Sequence, residues 1–509
     1  MLSYLDGLLD RITMYKLLFY YLIALVGIAF LLSIFGILHF SPMSIAATTA
    51  ILVVSCYVVN KVFAAILHAP TNSESTYITA LILALIISPV SGFQTVNIGF
   101  LLAASGLSMA SKYVITYRRK HIFNPAAIAV ALTAIGPHQS ASWWIGTTVM
   151  LPYVVIGGLL LVRKIRRGRM VFTFFGSALV STVIFTLITK GNVLSVLDKT
   201  VLTSSLFFLG FVMLTEPLTT PPTAKKQTLY ALLAGILFPP QVHIFSYYST
   251  PELDLIISNA FSFLISPKAK LLPTLTQKVR IAPDSADFVF KPNIRFKYEP
   301  GQYMEWTLPH RKTDSRGNRR FFTLASSPTE KDIRIGVKFY KHGSSFKDAL
   351  LAMDSKTPIS ASQIAGDFTL PKKTNQKIAF IAGGIGITPY RSMIKYLIDT
   401  DQQRSISMLY SAKTNADFAY KDVFEQARQK LGVNTIYTIT HQKDAVLSDP
   451  YTRIGYINAD AISREIPDYL ERMFYISGTH SMVEAVKSTL GDLGVPNSQI
   501  KVDFFSGYA

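Results

Sequence analysis

One short run of residues in the last third of the chain combines three kinds of chemistry. It reads Arg320, Phe321, Phe322 and Thr323. An arginine can neutralise a diphosphate, an aromatic ring can lie against a flat ring system, and a hydroxyl can hydrogen-bond the polar atoms of that ring. Alternation along a strand would place Arg320 and Phe322 on one face and Thr323 on the other. Alone, the run is also compatible with any strand of a barrel, so the neighbouring motifs decide its meaning.

Two glycine-containing turns follow, and both suit phosphate groups. Gly343, Ser344 and Ser345 open a predicted helix, where backbone N–H groups and hydroxyls can bind a phosphate. The second turn lies between an apolar strand and a helix, and its glycines allow the backbone to approach a dinucleotide closely. Its candidate residues are Gly383, Gly384, Gly386, Thr388 and Pro389. This strand-turn-helix context predicts nucleotide binding.

Two further segments complete this group of candidates. Ser477 and Gly478 follow the apolar run 473–476, and ligands of open α/β sheets bind at the carboxyl ends of the strands. The chain ends on an aromatic segment that contains Tyr508. A terminal tyrosine can be a frayed tail, or it can cover an aromatic cofactor.

Two kinds of secondary structure must position these residues. Within 275–372, short alternating runs such as 278–282 and 334–339 predict antiparallel strands. Within 375–509, apolar strands alternate with helical stretches, which is the pattern of a parallel sheet covered by helices. We therefore predict an antiparallel β-barrel followed by an α/β nucleotide-binding domain.

In this order the motifs resemble the ferredoxin-NADP reductase superfamily over about residues 275–509. The resemblance implies that the run 320–323, the turn 343–345 and Tyr508 bind FAD. It also implies that the turn 383–389 binds NAD(P)H, with Ser477 and Gly478 beside the nicotinamide. FAD would then accept a hydride, and the protein would supply only position and tuning.

Three residues depart from the pattern of that superfamily. Phe322 stands where the family has a tyrosine, which removes one hydroxyl. Ser477 and Thr479 stand where the family has the cysteine and proline of a Cys-Gly-Pro motif. We expect slower hydride transfer or an altered placement of the nicotinamide.

The first half of the chain has a different composition. Of the 509 residues, 50% are hydrophobic and only 16% are charged, and the apolar excess lies before about residue 267. A spanning helix needs about 20 apolar residues, or fewer where it is broken or buried in protein. We predict a multi-pass α-helical membrane domain of about ten helices over residues 1–270. The predicted spans lie near 16–38, 43–66, 77–91, 95–114, 124–136, 143–162, 170–189, 201–216, 227–245 and 253–266.

The basic residues predict the orientation of this domain. They follow the fourth, sixth, eighth and tenth spans, which all end on one side, and the positive-inside rule makes that side cytoplasmic. Both termini and the reductase domain are then expected on the cytoplasmic side of the inner (cytoplasmic) membrane. The same loops hold much of the net charge of +19, so we expect the lipid bilayer as partner and no nucleic acid. A single cysteine, Cys56, excludes an intramolecular disulfide and any four-cysteine metal or iron-sulfur site, and we expect no metal.

The third and eighth spans are both short and proline-ended, and they hold matching places in two sets of five. This arrangement predicts inverted five-helix repeats with a binding site where the short segments meet. Two polar stretches border such helices, one containing Asn124 and the other Thr215 and Glu216, each followed by proline. Because proline starts or stops helices, physics alone favours helix boundaries here.

The spans and these polar stretches together resemble the membrane family whose members belong to the sodium-translocating NADH:quinone reductase and to the Rnf complex. The resemblance covers about residues 15–266 and implies a flavin held within the membrane domain. Many members bind FMN through a threonine ahead of the acidic-proline pair, but Leu206 stands at that position here. We therefore expect noncovalent FMN or another flavin, with Thr203 and Ser205 as alternative attachment points and Asn124, Thr215 and Glu216 beside it.

The two resemblances imply a membrane-bound NAD(P)H-dependent flavin oxidoreductase that serves in electron transport. Electrons would pass from FAD to a membrane flavin or quinone, or across the membrane to an extracytoplasmic acceptor. One alternative is a haem-containing, ferric-reductase-like enzyme, although the histidines lie near span ends. A second is a redox-driven ion pump, although few acids lie within the predicted spans. Oligomeric state, nucleotide preference and final acceptor stay open.

Overall fold

Two compact units make up the protein, Met1–Ala269 and Lys270–Ala509, called unit 1 and unit 2 below. The structure is a computed structural model. It describes residues 2–9, 12–67, 73–90, 95–118, 120–136, 138–244, 247–266, 270–314, 316–341, 343–441 and 450–503.

Unit 1 is built almost entirely of helices. Its helices are α1 Leu2–Leu9, α2 Met14–Ile34, α3 Pro42–Ile66, α4 Ser73–Ile86, α5 Thr95–Val114, α6 Pro125–Ile135, α7 Leu151–Ile165, α8 Gly168–Ile188, α9 Val193–Leu202, α10 Leu206–Phe208 with a π-helix Leu209–Met213, α11 Ala224–Leu237 and α12 Pro251–Ile265. Two small hairpins are formed by β1 Thr116–Tyr117 with β2 Lys120–His121, and by β3 His243–Ile244 with β4 Tyr247–Tyr248. Within the described residues, α2, α3 and α8 are long and apolar enough to cross a membrane, and α9 with 206–213 adds a bent pair.

The predicted span 143–162 is wrong at its start, because α7 begins only at Leu151. The segment before Leu151 instead caps the C-terminal end of α4. The backbone N–H groups of Ser142 and Trp143 donate to the carbonyl of Ile86, and that of Ile145 donates to the carbonyl of Leu85. Carbonyls at a buried helix end need such donors, so this segment is held in an irregular conformation.

The predicted spans 201–216 and 227–245 are also interrupted. The first breaks after Leu202 and bends by 54°. The Ser204 hydroxyl donates to the Thr200 carbonyl and accepts from the Leu206 N–H, so local side-chain bonds replace helical ones. The second ends at Leu237, just before two prolines that cannot continue a helix. Helices α1 and α9 were not predicted.

Unit 2 begins with a barrel of two three-stranded antiparallel sheets. One has the order β5 Thr274–Ala282, β6 Ser285–Lys291 and β9 Ile333–Lys338, and the other has the order β10 Ser360–Ala365, β7 Tyr303–Thr307 and β8 Arg319–Thr323. Helix α13, Ser345–Ala352, lies between β9 and β10 in the chain. The buried rings of Phe290 and Trp306, 4.8 Å apart, help to join the two sheets.

A six-stranded parallel sheet forms the rest of unit 2 and is called the nucleotide lobe. Its strands are β11 Ile378–Gly383, β12 Ile406–Ala412, β13 Thr435–Ile439, β14 Thr452–Ile454, β15 Met473–Ser477 and β16 Ile500–Asp503. Its helices are α14 Thr388–Asp399, α15 Lys421–Leu431, α16 Ala459–Glu465 and α17 His480–Asp492. The order β14-β13-β12-β11-β15-β16 reverses between β11 and β15. Ligands of such sheets bind at the carboxyl ends of the strands at that reversal.

A buried polar network joins the barrel to the nucleotide lobe. Arg391 of α14 donates to both carboxylate oxygens of Glu330, at 2.8 and 3.1 Å, and to the Ala325 carbonyl at 2.6 Å. Beside it, the Tyr420 hydroxyl donates to the buried Asp287 of β6. Burial opposes ionisation of Glu330, but Arg391 outweighs it and keeps the pKa of this carboxyl below its usual value.

We predict that Glu330→Gln lowers the thermal midpoint of FAD release by about 5 °C, because it leaves the buried Arg391 charge without its anion. A lowered folded-state pKa contributes stability at neutral pH that is lost as the pH falls through it, so the deficit should shrink in acid. The control is Lys395→Met, which removes an exposed pair with Asp399 and should change little. Equal midpoints for Glu330→Gln and the wild type at neutral pH would contradict the prediction.

Candidate functional site

The glycine turn after β11 lies at the reversal of the sheet order, against the loop that follows β15. A Cβ atom on Gly386 would stand 2.5 Å from the Ser477 carbonyl oxygen and 2.7 Å from the Gly478 Cα, so no larger residue fits. A Cβ atom on Gly383 would stand 2.1 Å from the sulfur of Met482. Gly384 has a φ of +52°, which favours glycine. The structure therefore brings the predicted nucleotide-binding glycines together.

The other nucleotide candidates continue this surface. The Thr388 hydroxyl donates to the Ile385 carbonyl at 3.3 Å, and Pro389 lies in the first turn of α14. Ser477 is buried at the end of β15, and Thr479 precedes α17 with its hydroxyl 3.3 Å from that of Ser481. This places the residues that replace the family's cysteine and proline at the edge where a nicotinamide is expected.

The predicted FAD residues meet at the junction of β8 and α13. The Arg320 Nη1 donates to the Arg316 carbonyl at 2.8 Å, and its guanidinium lies 5.3 Å from the ring centroid of Phe346. The ring of Phe322 lies 6.0 Å from the same phenylalanine. Phe321 points elsewhere, with its ring edge-on to Tyr303 at 5.7 Å. Arg320 and Phe322 thus share a face, as strand alternation predicts.

The turn 343–345 begins α13, with Ser344 as its N-cap. The Ser345 N–H donates to a carboxylate oxygen of Asp314 at 3.0 Å, and the Ser345 hydroxyl accepts from the Asp314 N–H at 2.9 Å. The imidazole Nε2 of His310 lies 2.9 Å from the same hydroxyl. Sequence reasoning missed His310 and Asp314. The only local signal was the turn that Asp314 forms with the Arg316 N–H.

Positive charge is concentrated beside this turn. Burial, together with the charges of Arg320 and Arg316, lowers the pKa of Lys347 to about 8. The Lys347 ammonium donates to the Lys338 carbonyl at 2.8 Å. Arg320 and Lys347 at the N-terminus of a helix fit a diphosphate, which carries negative charge to balance them. The residues present therefore fit FAD.

Thr323 lies at the far end of β8, next to the end of the described chain. Its hydroxyl is 3.5 Å from a carboxylate oxygen of Asp503, the last described residue of β16. Asp503 is a further residue that sequence reasoning missed, since it is 180 positions away. Tyr508, the predicted cover of the flavin, lies outside the described residues.

The candidates in unit 1 fall into two places. Asn124 and Glu216 are joined by a 2.9 Å hydrogen bond from the Asn124 amide. Thr215 is buried beside them, but its hydroxyl donates to the Phe211 carbonyl at 2.8 Å. Thr203 and Ser205 lie at the opposite end of the 206–213 segment, where Thr203 is exposed and Ser205 is buried. The structure does not bring all five residues together.

Comparison with known proteins finds similarity in unit 2. Residues 380–488 match the family model described as the oxidoreductase NAD-binding domain. A Bacillus cereus flavohemoprotein is 27% identical over 244 residues, which cover 45% of this chain and 60% of that protein. The glycine betaine monooxygenase reductase subunit of Chromohalobacter salexigens is 25% identical over 216 residues, covering 42% and 57% of the two chains. This chain thus spans less than two thirds of the length of either relative.

Solved structures also align with part of the chain. The FAD/NAD-binding domain of nitric oxide dioxygenase from Vibrio cholerae aligns with 18% identity and a TM-score of 0.41, covering 46% of this chain and 98% of that one. The cytochrome b5 reductase domain of Ulva prolifera nitrate reductase aligns with 20% identity and a TM-score of 0.40, covering 47% and 98%.

Unit 2 therefore contains an oxidoreductase NAD-binding domain, and it binds FAD and NAD(P)H.

We predict that Gly386→Ala slows the reduction of bound FAD by NAD(P)H at least about tenfold, because the new methyl group forces the turn away from Ser477. FAD content should not change, since the FAD residues lie on the barrel. Stopped-flow measurement of flavin bleaching gives the rate. Gly491→Ala, with open space around its Cβ, is the control. A normal rate in Gly386→Ala would show that the contact does not position the nucleotide.

We also predict that FAD affinity falls as the pH rises through about 8, because Lys347 then loses the charge that attracts the diphosphate. The loss between pH 7 and 9.5 should reach about tenfold, the equivalent of one pKa unit of coupling. Lys347→Arg keeps its charge over this range and should bind FAD with little pH dependence. Titration of the flavin-free protein with FAD provides the measurement. Parallel curves for the two proteins would exclude Lys347 as the titrating group.

Proposed function

We propose that the protein is a membrane-bound NAD(P)H-dependent flavin oxidoreductase whose unit 1 holds the next electron acceptor. When bound, FAD supplies the chemistry that converts a hydride into single electrons. Unit 2 binds and aligns the nucleotide and the flavin. Unit 1 provides a site for a membrane flavin or quinone, from which electrons reach the quinone pool or an extracytoplasmic acceptor.

The observation that carries this proposal is a largely buried polar network in a helical unit with a mostly apolar interior. The Asn259 side chain accepts from the Asn124 N–H at 2.8 Å and donates to the Tyr230 hydroxyl at 3.0 Å. The Asn124 amide donates to Glu216, and His121 lies 3.4 Å from the same carboxylate. Polar side chains within membrane helices are expensive, and they mark functional sites.

The network is formed from the two polar stretches that the sequence singled out. Asn124 caps α6 by accepting from the N–H groups of Ala126 and Ala127, so it is also a helix boundary. Its amide nitrogen still reaches Glu216, which lies 92 positions later. A helix boundary alone does not require this long-range bond. Amides, a carboxylate and an imidazole are donors and acceptors that suit the polar edge of a flavin or the carbonyls of a quinone.

The short helices of unit 1 support the membrane assignment. Helix α4 and the 206–213 segment are both short and buried, and each fits a half-span enclosed by longer helices such as α2, α3 and α8. We propose that these elements are the matching parts of inverted repeats. On this basis unit 1 has about ten crossings, counting short and broken helices, and belongs with the membrane flavoprotein family named above. The basic loops then favour a cytoplasmic location for unit 2, where NAD(P)H is found.

The described histidines favour flavin or quinone over haem. His39, His138 and His243 are exposed, and His121 is engaged with Glu216. Axial ligation needs histidines that face each other within the helices. The ion-pump alternative gains two buried acids in the first turn of α12, Glu252 and Asp254, and Asp254 lies within the predicted span 253–266.

The positions of Thr203 and Glu216 bear on whether a second flavin is bound covalently. The Thr203 hydroxyl donates to the Lys199 carbonyl at 3.0 Å, at the exposed side of the helix break. Glu216 and Asn124 lie at the other end of the following segment. We propose a noncovalent flavin or quinone near Glu216 rather than a flavin joined to Thr203.

The test is to count the bound cofactors and to measure two activities separately, the reduction of FAD by NAD(P)H and the transfer of electrons from FAD to quinone. We predict that the purified full chain releases FAD together with a second flavin or quinone on denaturation. Glu216→Gln should keep NAD(P)H-dependent reduction of ferricyanide and lose at least about tenfold in quinone reduction, because a polar contact to the second carrier is lost. Glu74→Gln, at the start of α4, is the control. FAD as the only cofactor, with quinone reduction unchanged in Glu216→Gln, would leave a membrane-tethered flavin reductase.

A further inference from the structure

The loop between β7 and β8 contains residues that neither the motifs nor the proposed electron path uses. Asp314 is the centre of the loop. One of its carboxylate oxygens accepts from the Ser345 N–H at 3.0 Å and from the Arg316 Nε at 3.0 Å, and the other accepts from the Arg316 N–H at 2.9 Å. Its own N–H donates to the Ser345 hydroxyl. The loop is therefore bonded to the first residue of α13 through both backbone and side chain.

The same loop also holds the cation of the flavin motif. The Arg316 carbonyl accepts from the Arg320 Nη1 at 2.8 Å, and the Gly317 carbonyl accepts from the same nitrogen at 3.3 Å. The Arg316 Nη2 donates to the Gly343 carbonyl at 3.1 Å. One loop thus contacts Arg320 on β8 and both ends of the turn 343–345, which β9 separates in the chain.

His310 forms a second contact between this loop and the start of α13. Its Nδ1 lies 2.8 Å from the Leu308 carbonyl and its Nε2 lies 2.9 Å from the Ser345 hydroxyl. Its ring stands edge-on to Phe346, which also packs under Arg320. The three side chains His310, Asp314 and Arg316 are called the phosphate clamp below.

We propose that Asp314, through the phosphate clamp, is a positioning residue that aligns Arg320 with the N-terminus of α13 so that both bind one diphosphate. This inference rests on the proposed function only in requiring that unit 2 holds FAD. The clamp makes the site selective for flavins that carry a diphosphate. We expect it to contribute nothing to the binding of the isoalloxazine ring, because the clamp contacts Arg320 and the start of α13 and not Thr323 at the other end of β8.

Two physical arguments give the sign of the effect. A diphosphate that binds donors on two separate elements must fix both elements when it binds, and this costs conformational entropy. If the protein already holds the donors in place, binding no longer carries that cost. Charge alone argues the opposite way, because the Asp314 carboxylate repels a diphosphate. If Asp314 positions the donors, its removal weakens FAD binding. If it only competes as an anion, its removal strengthens FAD binding.

The experiment compares FAD with riboflavin, which lacks phosphate, on the flavin-free full chain. For Asp314→Ala, we expect FAD affinity to fall at least about tenfold, the range for a lost bond to a charged group, while riboflavin affinity stays within about twofold. Asp314→Asn retains an acceptor for the Ser345 N–H and should lie between Asp314→Ala and the wild type. His310→Ala should show the same selective loss on a smaller scale. Asp492→Asn, exposed at the end of α17, is the control.

Three outcomes would overturn the inference. Unchanged or tighter FAD binding by Asp314→Ala would make Asp314 neutral or a competing anion. An equal loss of FAD and riboflavin would make it a general part of the scaffold. A selective loss in the Asp492 control as well would remove the link to the clamp. Failure of the wild type to bind FAD at all would instead refute the assignment of unit 2.

Discussion

Arg391 is buried between the barrel and the nucleotide lobe, and its bonds to Glu330 and Ala325 fix the distance between two binding sites. Hydride transfer requires two rings in contact, so an error of about an ångström between the lobes is costly. The guanidinium meets this demand because its planar fork binds a carboxylate in one orientation. Asp287 and Tyr420 extend the same contact from β6 to the start of α15. The positions of the glycine turn and of the flavin residues both depend on this junction.

Unit 1 faces a different constraint. Its interior is mostly apolar, so each polar group inside it must find a partner or be placed there for function. The Asn124, Glu216, Asn259 and Tyr230 network satisfies its members mutually. This leaves a preorganised set of donors and acceptors without the cost of isolated buried charges. Such a set can be adjusted toward a flavin or a quinone by small shifts of side chains.

The sequence predicts the parts of this protein that are local in the chain. Each of these parts depends on a few adjacent residues within one strand or at one helix end. They are the glycine turn at 383–389, the helix cap at Ser344, and the alternation of Arg320 and Phe322 along β8. Most long helices also follow from their apolar length. These features explain why the antiparallel barrel and the parallel sheet of unit 2 can be predicted from the sequence.

The features that were missed depend on distant partners. Asp503 reaches Thr323 across 180 positions, and Asp314 reaches Ser345 across 31. Neither has a sequence pattern that reveals the contact. The late start of α7 has the same cause, because the apolar residues 143–150 look like a helix until the end of α4 requires their N–H groups. The periodicity of apolar residues reports a local preference for helix or strand. Hydrogen bonds between distant residues decide where that preference is overridden.

The capping of α4 by residues 142–145 also has a consequence for the biogenesis of unit 1. The carbonyls of Leu85 and Ile86 meet their donors only after more than fifty further residues have been synthesised, as the 56-residue separation of Ser142 and Ile86 shows. In the proposed membrane domain, the end of α4 would be costly in lipid until then, because its carbonyls would lack donors. The proposal therefore implies that α4 stays in a wet or protein-lined environment until α5, α6 and the capping segment have been made. On that proposal, the helices of unit 1 become stable as a group and not in chain order.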